Sequence, residues 1–197
     1  MARSTKYVAN VDSARSVVNL GNVRVGIKER RGDGAFGEIV PNIKPVPGLG
    51  YVVKRAPIAT LEIGIEVKIF SKAMNKQMDR VEGDLEKQAR LFKSRGSDAI
   101  RVAIVGVNRA AYTVGYEGDR EFPTTGKAGF LHPIQEAEAT EKHVRAVIEP
   151  LYDEVLFLRY KATNDAPYPF AWEDKKDTEM RYGALLARVS QQYQKRF

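Results

Sequence analysis

From Ala59 to Phe70 the chain alternates: Leu61, Ile63, Ile65, Val67 and Ile69 fall on one side, and Glu62, Gly64, Glu66 and Lys68 on the other. A period of two predicts a strand with one apolar face. From Lys72 to Arg95 the period changes. Met74, Met78, Val81, Leu85 and Phe92 recur at spacings of four, three, four and seven, one stripe of an amphipathic helix, and Gly96 is placed to end it. Ala99 to Val107 is a nearly continuous apolar run, as in a strand buried on both faces.

Around this centre the pattern predicts strands at Val23–Glu29 and Gly37–Lys44, joined by the charged turn Arg30–Gly34. Pro45 to Gly48 reads as a turn, and Tyr51–Ala56 as a strand interrupted at Pro57. Downstream come a helix over Ile134–Ile148, a strand over Glu154–Lys161, a Pro-rich loop at Pro167–Pro169 and a terminal helix over Lys175–Lys195. Arg109 to Pro133 is a long irregular segment, and loops of that length inside compact domains are usually functional. The order (meander, helix, strand, helix, strand, helix) predicts an α/β fold with a mixed sheet and flanking helices. No repeat or linker divides it, so residues 1–197 are expected to form a single domain.

Composition narrows the chemistry. The chain has no cysteine, which excludes disulfides, thiolate metal sites and cysteine nucleophiles. No apolar stretch approaches the roughly 18 residues of a membrane span and the N-terminus carries no apolar leader, so no membrane partner and a cytoplasmic location are expected. The formal net charge is +7, which favours polyanionic partners by long-range attraction. There is no Walker A or Gly-x-Ser-x-Gly motif. His132 and His143 stand too far apart along the chain for a metal pair at helical spacing.

Glu66-Val67-Lys68 puts an acid and a lysine on one strand face, with Cα atoms roughly 6.6 Å apart. An acid there can hold Mg²⁺ through oxygen, and a neighbouring ammonium can orient water or stabilise a phosphorane. The triplet closes a β-branched strand that follows a meander and precedes an amphipathic helix and another strand. That arrangement resembles the PD-(D/E)XK nuclease superfamily, in which the acid-x-Lys lies on the third strand of a four-stranded mixed core. The resemblance covers about residues 33–108, with residues 134–197 as C-terminal helical and strand additions, and implies a restriction-endonuclease-like fold. It assigns metal binding to Glu66 and to the Val67 carbonyl, and water activation to Lys68. It also makes Lys72, Gln77, Asp84 and Gln88 candidates for polar residues supplied by the helix.

The family also places a metal-binding acid some ten to twenty residues before the triplet, where Val46 to Pro57 has none. Glu62 shares the predicted face of Glu66 but lies about 13 Å away along the strand. Asp33 and Glu38 come from the preceding meander. With a turn at Pro47–Gly50, Asp33 falls opposite Gly64, diagonal to Glu66, and Glu38 opposite Ala59; both stay candidates. Arg30, Arg31, Lys72, Lys76 and Arg80 form a basic surround suited to phosphates. Tyr112, Tyr116, Arg109, Arg120 and Lys127 give the long loop an aromatic and cationic mixture suited to groove contact or stacking.

The expected activity is Mg²⁺-dependent hydrolysis of DNA phosphodiesters, in a restriction or phage-defence setting, by a homodimer if both strands are cut at a symmetric site. The alternative is a non-catalytic DNA-binding or assembly protein that keeps a nuclease-like core. On the terminal helix, Tyr182, Leu185, Val189 and Tyr193 make an apolar stripe that must be covered, either by the rest of the chain or by a second copy.

Overall fold

The computed structural model describes residues 4–20, 23–24, 27–28, 33–47, 50, 52–95, 98–114, 121–122, 133–163 and 165–197. Along the chain run α1 (Thr5–Asp12), β1 (Ser16–Asn19), β2 (Val23–Arg24), β3 (Ile27–Lys28), β4 (Gly34–Glu38), β5 (Arg55–Ala56) and β6 (Ile63–Phe70). Then follow α2 (Met74–Arg95), β7 (Ile100–Asn108), β8 (Thr113–Val114), β9 (Glu121–Phe122), α3 (Pro133–Ile148), β10 (Glu154–Ala162), β11 (Phe170–Trp172) and α4 (Lys175–Arg196). Seven strands form one mixed sheet in the order β11-β10-β7-β6-β4-β1-β5. At its centre β6, β7 and β10 are parallel; β4 runs antiparallel to β6, and β1 antiparallel to β4.

Alternation along β7 shows why helices cover both faces. Ala103, Val105 and Val107 join Phe70, Leu85, Phe92, Val144 and Ile148 in a core beneath α2 and α3. Ile100 and Val102 join Val11, Phe36, Ile63, Leu185 and Tyr193 in a second core beneath α1 and α4. Each fully buried side chain of this size contributes roughly 1.5–3 kcal/mol. The strand predicted over Ala99–Val107 is thus buried on both sides. The polar-in-sequence face of β6 is covered too: a Cβ on Gly64 would stand 2.8 Å from the Phe92 ring, and the bare glycine lets α2 settle onto the strand beside Glu66. Glu136 of α3 accepts from the amide of Asn75 at 3.1 Å, capping the start of α2.

The long periodic elements stand close to their predicted bounds, and the short ones moved. Instead of one strand over Val23–Glu29 there are two two-residue strands that pair with each other. The strand expected at Gly37–Lys44 is Gly34–Glu38, and positive φ at Asn42 marks the turn that follows. Tyr51–Ala56 shrinks to β5, which pairs with β1. Neither α1 nor β1 was expected, because the N-terminal segment carries little periodic apolar sequence. α1 is secured from outside itself: Ser4 caps it, and Ser4 also bonds Ser190 and Gln194 of α4. β11, which was not expected, follows directly on the Pro-rich loop at Pro167–Pro169, with a stacked Tyr160–Phe170 pair 5.5 Å apart.

The terminal helix settles one expectation. Leu185 and Tyr193 are buried against the sheet and Val189 packs beside them, so α4 covers its own domain; Tyr182 and Leu186 stay exposed.

Candidate functional site

Lys68 and Glu66 point to the α2 side of β6 and meet at 2.8 Å. Asp84, one face of α2 away, brings a second carboxylate to 3.7 Å from the same ammonium. The Glu66 side chain is only 5% exposed, against 21% for Lys68. Removing a carboxylate from water is costly unless a partner compensates, and Lys68 is that partner. Tyr152, just before β10, lies close enough that burial and the charge of Glu66 together push its hydroxyl well above the usual tyrosine range; that hydroxyl donates to the Leu85 carbonyl at 2.7 Å. Nothing in the spacing of the sequence singled out Tyr152, because the sheet brings it in from a distant segment.

The neighbouring strand adds Asp33. β4 pairs with β6 in a register that sets Gly34 opposite Ile65 and Ala35 opposite Gly64, so the next position sets Asp33 opposite Glu66. This is two residues from the expected alignment and nearer the triplet. The long connection between the strands is not the simple hairpin assumed: it makes its own bridges, Ile39 to Ala59 and Val46 to Arg55. β4 begins at Gly34, and the Asp33 carboxylate just before it receives the Val67 amide at 2.7 Å. Along a strand the N–H and C=O of one residue share an edge, so the Val67 carbonyl emerges on the same side.

Glu38 stands at the other end of β4, with its carboxylate on Arg15 at 2.9 Å. Glu62, expected on the face of Glu66, instead accepts from the Tyr193 hydroxyl at 2.7 Å, on the α4 side of the sheet. Burial, together with the Glu62 carboxylate, pushes that hydroxyl up to about 12.

Among the helix residues, Gln77 donates its amide to the Lys72 carbonyl at 2.8 Å, a role at the start of α2. Gln88 is 1% exposed between Leu85 and Phe92, and its Nε2 has no hydrogen-bond partner among the described residues. It lies one turn beyond Asp84, on the side of α2 that meets the sheet.

Lys76 and Arg80 are exposed on α2. At 100° per residue, Lys76, Arg80, Lys87 and Arg90 fall within one quarter of the circumference of α2, opposite the stripe of Met74, Val81, Leu85 and Phe92, and Lys72 lies just before the helix. From Lys76 to Arg90 this basic ridge runs about 21 Å at 1.5 Å per residue. Lys87 and Arg90 extend it beyond the basic surround expected from the sequence, and they line a shallow depression with Leu91 and Ser94. Arg30, Arg31, Tyr116, Arg120, Lys127 and His132 lie outside the described residues. Arg109 is not a free loop cation. It bonds Glu138 at 2.8 Å and Glu173 at 3.0 Å and is 11% exposed, tying the end of β7 to α3 and to the approach to α4.

The oxygen donors that a hard divalent cation prefers are therefore the carboxylates of Asp33 and Glu66 and the Val67 carbonyl. No group of three or more His, Cys, Asp or Glu side chains suited to a metal ion occurs among the described residues. A Mg²⁺ site on this chain would rest on two carboxylates, and Mg²⁺ commonly keeps several waters and binds through one or two. No family model, curated protein or solved structure matches the chain.

Proposed function

We propose that this protein is a Mg²⁺-dependent endonuclease that hydrolyses DNA phosphodiesters at the junction of β4 and β6. The observation that carries the reading is the meeting of Asp33 with Glu66-Val67-Lys68 across two neighbouring strands. The strand order β1-β4-β6-β7, with β6 third along the chain in that set and α2 leading from β6 to β7, is in keeping with the mixed core that the sequence resemblance implies. Asp33, Glu66 and the Val67 carbonyl would hold the cation, which when bound supplies Lewis-acid polarisation of a phosphoryl oxygen and a more acidic water. Lys68 sits beside the proposed metal acid and offers its ammonium to the attacking water or to the charge that grows on the phosphoryl oxygens. The basic ridge of α2 tracks the DNA backbone without reading sequence. Cutting both strands at a symmetric site calls for two copies of the chain, as in restriction or phage defence.

One observation favours the alternative of a non-catalytic DNA-binding protein: Glu66 is buried and already engaged by Lys68, as in a purely structural ion pair. Incubation with supercoiled plasmid decides between them. The nuclease reading expects nicked or linear product with Mg²⁺ and none with EDTA; binding without any cleavage across divalent cations would reject it.

A further inference from the structure

Large apolar side chains are not exposed evenly over this surface. Tyr168, Phe170, Trp172, Met180, Tyr182 and Leu186 are all exposed, and all belong to β11, the turn before it and the first half of α4. Tyr168, Phe170 and Trp172 set apolar side chains along one edge of the sheet, and exposed apolar surface of that kind marks contact sites. Among the described residues β11 is also an end strand, hydrogen-bonded on one side only, to β10.

The pairing pattern fixes which groups that edge presents. Ala171 lies opposite Lys161, and the Glu173 amide donates to the Arg159 carbonyl at 3.0 Å. In an antiparallel pair the direction of the backbone groups alternates, so Ala171 and Glu173 spend theirs on β10, whereas the N–H and C=O of Phe170 and Trp172 point outward. Natural edge strands are commonly blunted by a lysine, a proline or a bulge. β11 is Phe-Ala-Trp and carries no charge. Pro169 has the parity of Ala171, so its missing N–H ends the pairing with β10 and leaves the outer edge open.

We infer that two copies of this chain pair through β11, antiparallel about a two-fold axis at Ala171, joining their sheets edge to edge. The edge is self-complementary in this register. Phe170 of one copy faces the partner's Trp172, so both residues exchange both backbone hydrogen bonds, and the symmetric pair does the same. Phe170 and Trp172 are on one face, with ring centroids 5.0 Å apart, and each gains an aromatic neighbour across the axis. The dimer contact is therefore the β11 edge, and not the buried stripe of α4. The inference goes beyond the nuclease reading and does not depend on it.

Because the chain has no cysteine, Ala171→Cys introduces a single thiol on the axis. Opposed residues at such a non-hydrogen-bonded position have Cα atoms about 4.5 Å apart, within the range of roughly 4.4–6.8 Å that a disulfide spans. Under mild oxidation Ala171→Cys should convert to a covalent dimer on a non-reducing gel, and Ser94→Cys, on α2, should not. Sedimentation equilibrium should give two chains for the wild type. Phe170→Lys with Trp172→Lys sets like charges against each other and should weaken the dimer about tenfold or more; Phe170→Lys with Trp172→Glu should restore it, since only this register opposes positions 170 and 172. A monomeric wild type at about 100 µM, far above the Kd of a stable dimer, would overturn the inference. So would equal cross-linking of the two cysteine variants, or a like-charge variant that is folded by circular dichroism and as dimeric as the wild type. Should that variant fail to fold, cross-linking and mass decide alone. Neither readout involves DNA or metal, so the dimer and the nuclease activity fail or stand separately.

Discussion

The backbone amide of Val67 donates to the Asp33 carboxylate at 2.7 Å, so the acid just before β4 is tied to the middle residue of the Glu66-Val67-Lys68 triplet on β6. The bond does structural and chemical work at once. It satisfies a backbone donor of β6, and it holds a second carboxylate one strand from Glu66.

Asp33→Asn and Asp33→Ala should separate those two roles. Asn keeps an acceptor for Val67, and its unfolding free energy should stay within about 1 kcal/mol of wild type, whereas Ala strands the donor and should cost about 1–3 kcal/mol. Cleavage should fall in both by two orders of magnitude or more, on the order of 3 kcal/mol of transition-state stabilisation. Chemical denaturation beside plasmid cleavage measures the split, and wild-type turnover in Asp33→Asn would remove Asp33 from the site.

Glu66→Gln leaves Lys68 with only Asp84, at 3.7 Å. The variant should lose cleavage, retain DNA binding and lose about 1–3 kcal/mol of stability, read as a drop in Tm of roughly 2–4 °C per kcal/mol for a domain of this size. Adding Lys68→Met should recover much of the stability, because an apolar replacement of a buried ion pair is often near neutral, without recovering cleavage. A double variant that cuts DNA would show the pair to be structural only.

Replacing Lys76, Arg80 and Lys87 with Ala should weaken binding to specific and random duplexes alike, and should flatten the log–log salt dependence by about 0.9 for each phosphate no longer neutralised. The matching control is Lys175→Ala with Lys176→Ala at the start of α4. Equal slopes for the two sets would mean that α2 does not face the DNA.

The acid side of the stability profile should be set in part by Asp153. Burial alone would raise its pKa, but hydrogen bonds from Arg101 and Arg196 outweigh burial and hold it at about 2. A carboxylate depressed in the folded state stabilises the fold above its unfolded pKa and loses that contribution as pH falls through the folded value. Its share, at most about 2–3 kcal/mol before solvent screening, should disappear between about pH 4 and pH 2. Urea unfolding of wild type and Asp153→Asn across that range should converge at the acid end, and a constant difference would exclude the assignment.

Truncation after Asp174 removes α4, and with it Leu185 and the fully buried Tyr193, whose hydroxyl joins Glu62 and Asn10. The remaining chain should lose cooperative unfolding and bind a hydrophobic dye. A truncated protein with a sharp thermal transition would show that the sheet needs no cover on this face.

The sequence by itself determined the elements whose burial pattern is regular over many residues. The helices that became α2, α3 and α4, the strand that became β10 and the unbroken apolar run that became β7 were legible because each keeps its pattern long enough to exceed the noise of single residues. The triplet on β6 was legible for the same reason. Where structure depends on a partner far away in the chain, the sequence was silent. α1 and β1 take their stability from α4 and β4, and β11 from Tyr160 across the ladder. The burial of Glu66 was decided by the fit of Phe92 against Gly64, which a polar-looking strand face does not disclose. Where Asp33 and Glu38 stand relative to Glu66 was likewise a matter of register. An antiparallel shift of two residues keeps every side chain on its face, so the pattern of apolar and polar positions is the same for either alignment, and only the packed sheet distinguishes them.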